Sequence, residues 1–483
     1  MDDSSNKEMK LRVLEISQIS PPPTSPITES SLPLTYFDLP LLLRAPPELL
    51  MFFTIPNINI NHFMGSLLPQ IKLSLSLTLQ FFHPLAGNLI WSHQSNQPII
   101  RYSHGDSVSL TVAETNADFN HLSGHLARDP EQVQKLVPQL DNSSSKSPGS
   151  VPVFAAQITL FPGLGISLGT THLHCVSDGR TSAMFLKSWA LISRFGDISL
   201  VLQSKWLLPM FDRSVIKDVD NKFHRLYLKE LVKFIRSKSL SEQDCNSWLL
   251  LSLNLKSPPD QVMVTFELTR TDLDSLKRLV SSKSGQSPSR FELACAYIWV
   301  CLAKSKTSVG GVGDVGGDEI SSISFAADYR ARLAPPVPST YFGNCVIGVR
   351  ASAKRSDVVG ENGIVVALEG IMKEVRELGA SVVRNSEARI ARLITNGPHR
   401  FDVIAGSPQF RFYDVDFGWG RPKKVEFVTV ARTGAILFAD SRNGGGDGGI
   451  EISLARGKEE MDAFGAAFVG GLNDLRNGFR SSL

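Results

Sequence analysis

VFAAQITLFPGLGISLGTTHLHCVSDGRTSAMFLKSWALI, residues 153–192, reads as strand, turn, strand, break and helix. Val153 to Leu160 is an apolar-rich run of strand length, and FPGLG at 161–165 has the proline and glycines of a turn. From Ile166 the pattern alternates, so Ile166, Leu168, Thr170, His172 and His174 share one face of a strand expected to reach His174. Gly179 breaks the segment Val176 to Arg180. Thr181 to Ile192 is then predicted to be a helix, with Met184, Phe185, Leu186 and Trp189 apolar. A histidine at the end of a strand, followed by a tight turn, is a rigid place to hold a base.

On either side the chain keeps mixing the two periodicities. Residues 18–34, rich in Pro, Ser and Thr, are expected to be a surface arm, and Asp141 to Ser150 a loop. Residues 206–232 are the expected crossover between an N-terminal domain, 1–205, and a C-terminal domain, 233–483. Beyond the crossover Val262, Val264, Phe266 and Leu268 alternate as a strand, and Thr271 to Asp274 has capping-box spacing at a helix start. Leu368, Ile371, Val375 and Leu378 give helical spacing across 364–378. Val425 to Val430 is a predicted strand. Ala435 to Phe438 is predicted to pair with Ile450 to Leu454 through a glycine-rich turn at 443–449. The class is therefore α/β, with mixed sheets in two similar-sized halves.

Composition excludes several functions. The 483 residues carry a net charge of +3, with 42% apolar and 20% charged residues, so a core can form and no basic surface calls for nucleic acid. The densest basic stretch, Lys229 to Lys238, is interleaved with Leu231, Phe234 and Ile235 and reads as an amphipathic helix. No segment offers the roughly 18 uncharged apolar residues of a membrane span. The start, MDDSSNKEMK, lacks the basic and apolar regions of a signal peptide. Five cysteines without a C-x-x-C point to a reducing compartment. The expectation is a cytosolic monomer acting on small molecules, with neither nucleic-acid nor membrane partners.

Three motifs bear on chemistry. GVGDVG at 311–316 matches a dinucleotide fingerprint by letter, but a helical pattern precedes it and a strand pattern follows, the reverse of what phosphate binding at a helix N-terminus needs. H-x-x-x-D occurs at His125–Asp129, in a polar stretch, and at His174–Asp178, at the strand end. A neutral imidazole can accept a proton at neutral pH, and an alcohol attacking a thioester needs that help. The bland alternative is a strand-terminal histidine satisfied by nearby backbone. Asp178 could bond turn amides or a basic side chain. The third motif, DFGWG at 416–420, sets two glycines around Trp419, as in a sharp turn packed by aromatics.

HCVSDG at 174–179 together with DFGWG at 416–420 resembles the BAHD acyltransferases of plants. PLAGNL (84–89), LPMFDRSVIKD (208–218), SRFELACAYIWVCLAK (289–304) and DYRARLAPPVPSTYFGNC (328–345) extend the resemblance over nearly the whole chain. It implies two similar-sized domains of the chloramphenicol-acetyltransferase-like type, with a channel between them. Acyl-CoA enters as co-substrate, with no bound cofactor and no metal. His174 is implied as general base, and Asp178 as a loop-orienting residue paired with an arginine. Asp416, Gly418, Trp419 and Gly420 are implied as a structural motif, with Arg330 or Arg332 the expected partner of Asp416.

YFGNC at 341–345 and DGRTSAMFLKSWA at 178–190 are most similar to members that acylate sugar hydroxyls of phenolic or flavonoid glucosides, several of them with malonyl-CoA. Arg180 is the implied holder of the malonyl carboxylate; alternatively it pairs with Asp178 or faces solvent. A hydroxycinnamoyl donor is the alternative donor. Lys283, Ser289 and Arg290 are candidate coenzyme A contacts. The chain departs from many relatives at Leu173, which separates His172 from His174, and at His83 before PLAG. His172-x-His174 with Asp178 also suggests a metal-dependent hydrolase, but Val176 and Ser177 stand where that arrangement needs Asp and His.

Overall fold

The computed structural model describes residues 9–91, 97–140, 149–245, 247, 249, 256–309, 319–378, 401–442 and 448–480. The first of two six-stranded sheets runs Leu11–Ile19, Val108–Thr115, Phe154–Phe161, Gly165–His172, Glu48–Thr54 and Lys424–Phe427. Its pairs are antiparallel except Val108–Thr115 beside Phe154–Phe161. Both strands of the opening stretch are buried at every position. The helices Leu68–Leu79 and Gly179–Phe195 pack against each other and share one apolar core with this sheet. Burial on both faces is why Val153 to Leu160 shows little alternation.

The second sheet runs Gln261–Leu268, Ile450–Gly457, Ile436–Asp440, Asp402–Gly406, Ile320–Asp328 and Val346–Lys354, with parallel pairs at its centre. The helices Arg270–Ser284, Arg290–Val309, Gly363–Glu377 and Lys458–Arg480 pack with it around Trp299 and Phe464. The α/β class with mixed sheets is thus the observed one. Among the described residues no helix is long and apolar enough to cross a membrane.

Several expectations need correction. The expected strand to His174 stops at His172, and the strand from Val425 stops at Phe427, with a helical turn at Val430–Thr433. The capping box uses Thr269 and Asp272 rather than Thr271 and Asp274. The expected arm at 18–34 ends in the strand Glu29–Pro33 of a small four-stranded sheet. The pairing of Ile436–Asp440 with Ile450–Gly457 is observed. Residues 443–447 of its turn, residues 141–148 and GVGDVG at 311–316 lie outside the described residues.

The boundaries at 206 and 233 do not follow the packing. Leu231, Ile235 and Cys245 belong to the first core, and Lys424–Phe427 completes the first sheet from far downstream. This borrowed strand makes the seam between the sheets. A third apolar cluster there joins Leu50 and Phe52 to Met263, Leu437 and Ala455. Two fully buried ion pairs cross it, Arg128–Glu426 at 2.8 Å and Lys424–Glu451 at 2.9 Å. A charge buried there is tolerated only with its partner, so Lys424–Glu451 ties the strand to the second sheet and Arg128–Glu426 ties it to the segment that bridges Met263 of that sheet.

Candidate active site

The turn that carries His174 is held from every side. Its incoming strand ends on a bond from His172 N to Pro47 O (3.3 Å), Leu173 N reaches Val153 O (3.0 Å), and Val176 N closes back on Leu173 O (3.0 Å). Asp178 then caps the helix Gly179–Phe195, its Oδ1 accepting from Thr181 N at 3.0 Å. A Cβ at Gly179 would come within 2.3 Å of the Phe410 ring, which is why glycine follows the aspartate.

Asp178 faces away from the imidazole in its bonding. Its Oδ2 accepts from Arg330 Nη1 at 2.7 Å and from Cys345 N at 3.1 Å. The ion pair is buried, with side chains 4% and 3% exposed. Burial alone pushes the Asp178 carboxyl up, but the Arg330 guanidinium and the bonds from Thr181 N and Cys345 N hold it below the usual range. Arg330 Nη2 also donates to the carbonyls of Tyr341 and Gly343, both at 3.2 Å. The YFGNC segment is thereby bolted to the turn.

Asn344 makes the other connection, one that sequence reasoning missed although it quoted the motif. Its Nδ2 donates to His174 O at 3.0 Å and to Asp38 Oδ1 at 3.0 Å, and its N donates to the same Oδ1 at 3.0 Å. Asp38 is fully buried and anchored through Oδ2 by Thr35 N and Oγ1, both at 2.8 Å. A buried carboxylate needs such partners; the only signal of it in sequence was an aspartate inside the apolar run Leu32 to Leu43.

His174 itself is half-buried. Its Nδ1 is buried with no partner from another residue, and its own carbonyl is the backbone group that acts on the ring. Burial lowers its pKa from the ordinary histidine value; the charge of Arg44 adds to this, while the backbone bond and Asp178 oppose it. His172 is fully walled in, pushed by burial to about 3, with Nε2 at 3.3 Å from Ser182 Oγ. A narrow cavity of about 20 Å³ abuts His172, lined also by Leu49, Leu85, Phe154, Thr170 and Phe342; His174 is not among its lining residues.

The remaining candidates fall elsewhere. Arg180 pairs with neither Asp178 nor open solvent alone: its Nε donates to Asp328 Oδ2 at 2.8 Å, and Asp328 also meets Arg330 at 3.3 Å. Asp416 pairs with Arg194 at 2.8 Å, not with Arg330 or Arg332. Arg330 is taken by Asp178, and Arg332 bonds Asp328 O at 2.7 Å. Asp416 Oδ1 also accepts from Gly418 N (2.8 Å) and Gly420 N (3.0 Å), glycines held at φ of 102° and 91°. Phe417 stacks on Trp419, and both rings meet Phe53 edge-on. The two motifs therefore grip one helix from its two ends, Asp178 as its N-cap and Asp416 through Arg194 in its last turn.

Lys283 donates to Asn362 Oδ1 at 3.0 Å, Ser289 forms a reciprocal cap with Glu292, and Arg290 lies 3.7 Å from Asp274. None of these contacts involves the His174 turn. Among the described residues no group of three His, Cys, Asp or Glu side chains could hold a metal ion.

The sequence model of the Transferase family matches residues 11–469. The chain belongs to this family, the BAHD acyltransferases. As a BAHD member it is an acyl-CoA-dependent acyltransferase. It is 36% identical to phenolic glucoside malonyltransferase 2 of Arabidopsis thaliana, over 96% of this chain and 100% of the relative. It is 37% identical to the malonyl-coenzyme A:anthocyanin 3-O-glucoside-6''-O-malonyltransferase of Dahlia pinnata, over 96% and 97%. Among solved structures, vinorine synthase matches with a TM-score of 0.68 at 20% identity, over 95% of this chain and 98% of that one. The likeness supports the two-domain, chloramphenicol-acetyltransferase-like BAHD fold.

Proposed function

We propose that the protein transfers a malonyl group from malonyl-CoA to a sugar hydroxyl of a phenolic or flavonoid glucoside, with His174 as general base. One observation carries the reading. His174 stands in the turn two residues past a strand buried throughout, its main chain clamped by Asn344 and its imidazole kept neutral by burial and Arg44. A neutral imidazole keeps one ring nitrogen with a free lone pair, able to accept a proton.

The chemistry follows. The His174 imidazole takes the proton of the acceptor hydroxyl as its oxygen attacks the thioester carbonyl. The C–S bond of the tetrahedral intermediate breaks, and the imidazolium returns the proton to the coenzyme A thiolate, so no group on the enzyme is acylated. A base so placed contributes roughly 10²–10⁴-fold in rate. The relatives named for malonyl transfer to phenolic glucosides and anthocyanins support the donor and acceptor classes.

A donor screen tests this. With a phenolic glucoside as acceptor, malonyl-CoA should release coenzyme A and give a malonylated glucoside at a higher kcat/KM than p-coumaroyl-CoA. Preference for p-coumaroyl-CoA would replace the malonyl reading with the hydroxycinnamoyl one. Release of coenzyme A with neither donor would remove both.

A further inference from the structure

We infer that Arg44, rather than Arg180, receives the free carboxylate of the acyl donor. The inference rests on the reading of the donor as an acidic acyl-CoA and goes beyond it by naming the residue that selects it.

The loop that carries Arg44 is pinned beside His174 at both ends. At its start, Asp38 holds Asn344, which in turn holds the His174 carbonyl. At its end, Pro47 O accepts from His172 N at 3.3 Å, one step past the antiparallel pairing of Glu48 with Thr171. Arg44 lies three residues before Pro47 and His174 two after His172. Antiparallel chains run past each other in this way, so the two residues flank the same end of the sheet. Thr429 fixes the loop further, its Oγ1 donating to Pro46 O at 2.8 Å and accepting from Glu48 N at 2.9 Å.

Arg44 is the charge this loop leaves uncommitted. Its neighbours Leu42 and Ala45 are buried, whereas its own side chain is accessible. Among the described residues no carboxylate or carbonyl accepts from its guanidinium. The other arginines around the turn are engaged: Arg180 with Asp328, Arg330 with Asp178, and Arg213 with Tyr341 Oη and the Phe342 carbonyl. Its charge reaches His174.

The donor's geometry matches. In a malonyl thioester a single methylene separates the carboxylate from the carbonyl that is attacked. A cation that holds this carboxylate must therefore sit next to the base. A guanidinium offers it two parallel N–H donors, and a site closed by a carboxylate of its own could not take it.

The test compares kcat/KM for malonyl-CoA and acetyl-CoA, with one phenolic glucoside, in the full-length enzyme and its Arg44→Ala, Arg44→Lys and Arg180→Ala variants. Losing a hydrogen-bonded charge contact should lower the malonyl-to-acetyl ratio of Arg44→Ala by about 10- to 150-fold. Arg44→Lys should recover part of the ratio, and Arg180→Ala should keep it within about threefold. The acid limb of the acetyl-CoA profile should also move to higher pH in Arg44→Ala, because the cation whose charge lowers the His174 pKa is gone while Asp178 and His172 remain. An unchanged ratio in Arg44→Ala, an unmoved acid limb, or a ratio that collapses in Arg180→Ala instead would overturn the inference and leave the malonyl reading standing. A wild-type enzyme with no preference for malonyl-CoA would overturn both.

Discussion

Asp178→Ala should unfold the protein more readily. The substitution removes a carboxylate that is 3% exposed and leaves the Arg330 guanidinium, 4% exposed, without its closest anion. Stranding one member of a buried pair costs about 3–5 kcal/mol. Here the lower end applies, because Arg330 keeps Asp328 at 3.3 Å and two carbonyls at 3.2 Å. Over 483 residues, at ~2.1 cal/mol/K each, the unfolding entropy is about 1 kcal/mol/K, so 3 kcal/mol lowers Tm by about 3 °C if the chain unfolds as one unit.

The assay is a double-mutant cycle in urea, with Asp178→Ala, Arg330→Ala and the pair. The double variant should cost at least about 2 kcal/mol less than the sum of the singles, as directly coupled residues do. The pH dependence has a definite sign. The folded carboxyl lies below its unfolded value, so its contribution is fully present above about pH 5 and is lost only as pH falls below about 4. Additive single effects, or a loss under about 1 kcal/mol for Asp178→Ala, would refute the view of this pair as the clamp of the turn.

Two other outcomes are expected. Arg194→Ala breaks a partly exposed pair and should cost under about 1 kcal/mol, whereas Asp416→Ala also frees the Gly418 and Gly420 amides and should cost more; urea titration ranks them. His172 and His83 are held neutral by burial, with pKa values near 3 and 4, so the unfolded chain takes up protons first. Stability should fall as pH drops below about 6.5, by about 1.4 kcal/mol per pH unit for each, flattening near those values.

Much of this was legible in sequence, and the misses share a cause. The strand–turn–strand–helix of residues 153–192 follows from local periodicity, so its order came out of the letters. The end of the second strand did not, because alternation continues to His174 while the partner strand starts at Glu48. In TRTDLD, residues 269–274, both Thr269 and Thr271 stand three residues before an aspartate, and packing decides between them. The partner of Asp416 lies 222 residues away, and Lys424–Phe427 crosses to the other sheet. Asp38 and Asn344 matter through bonds between segments 306 residues apart, which no local pattern announces.

In the proposed mechanism one imidazole draws the proton from the acceptor hydroxyl. Comparing kcat/KM for coenzyme A release by the wild-type enzyme and a His174→Ala variant of unchanged circular dichroism tests it most directly. A loss of at least about 100-fold is predicted, matching a general base. A variant that transfers the acyl group at close to the original rate would contradict it.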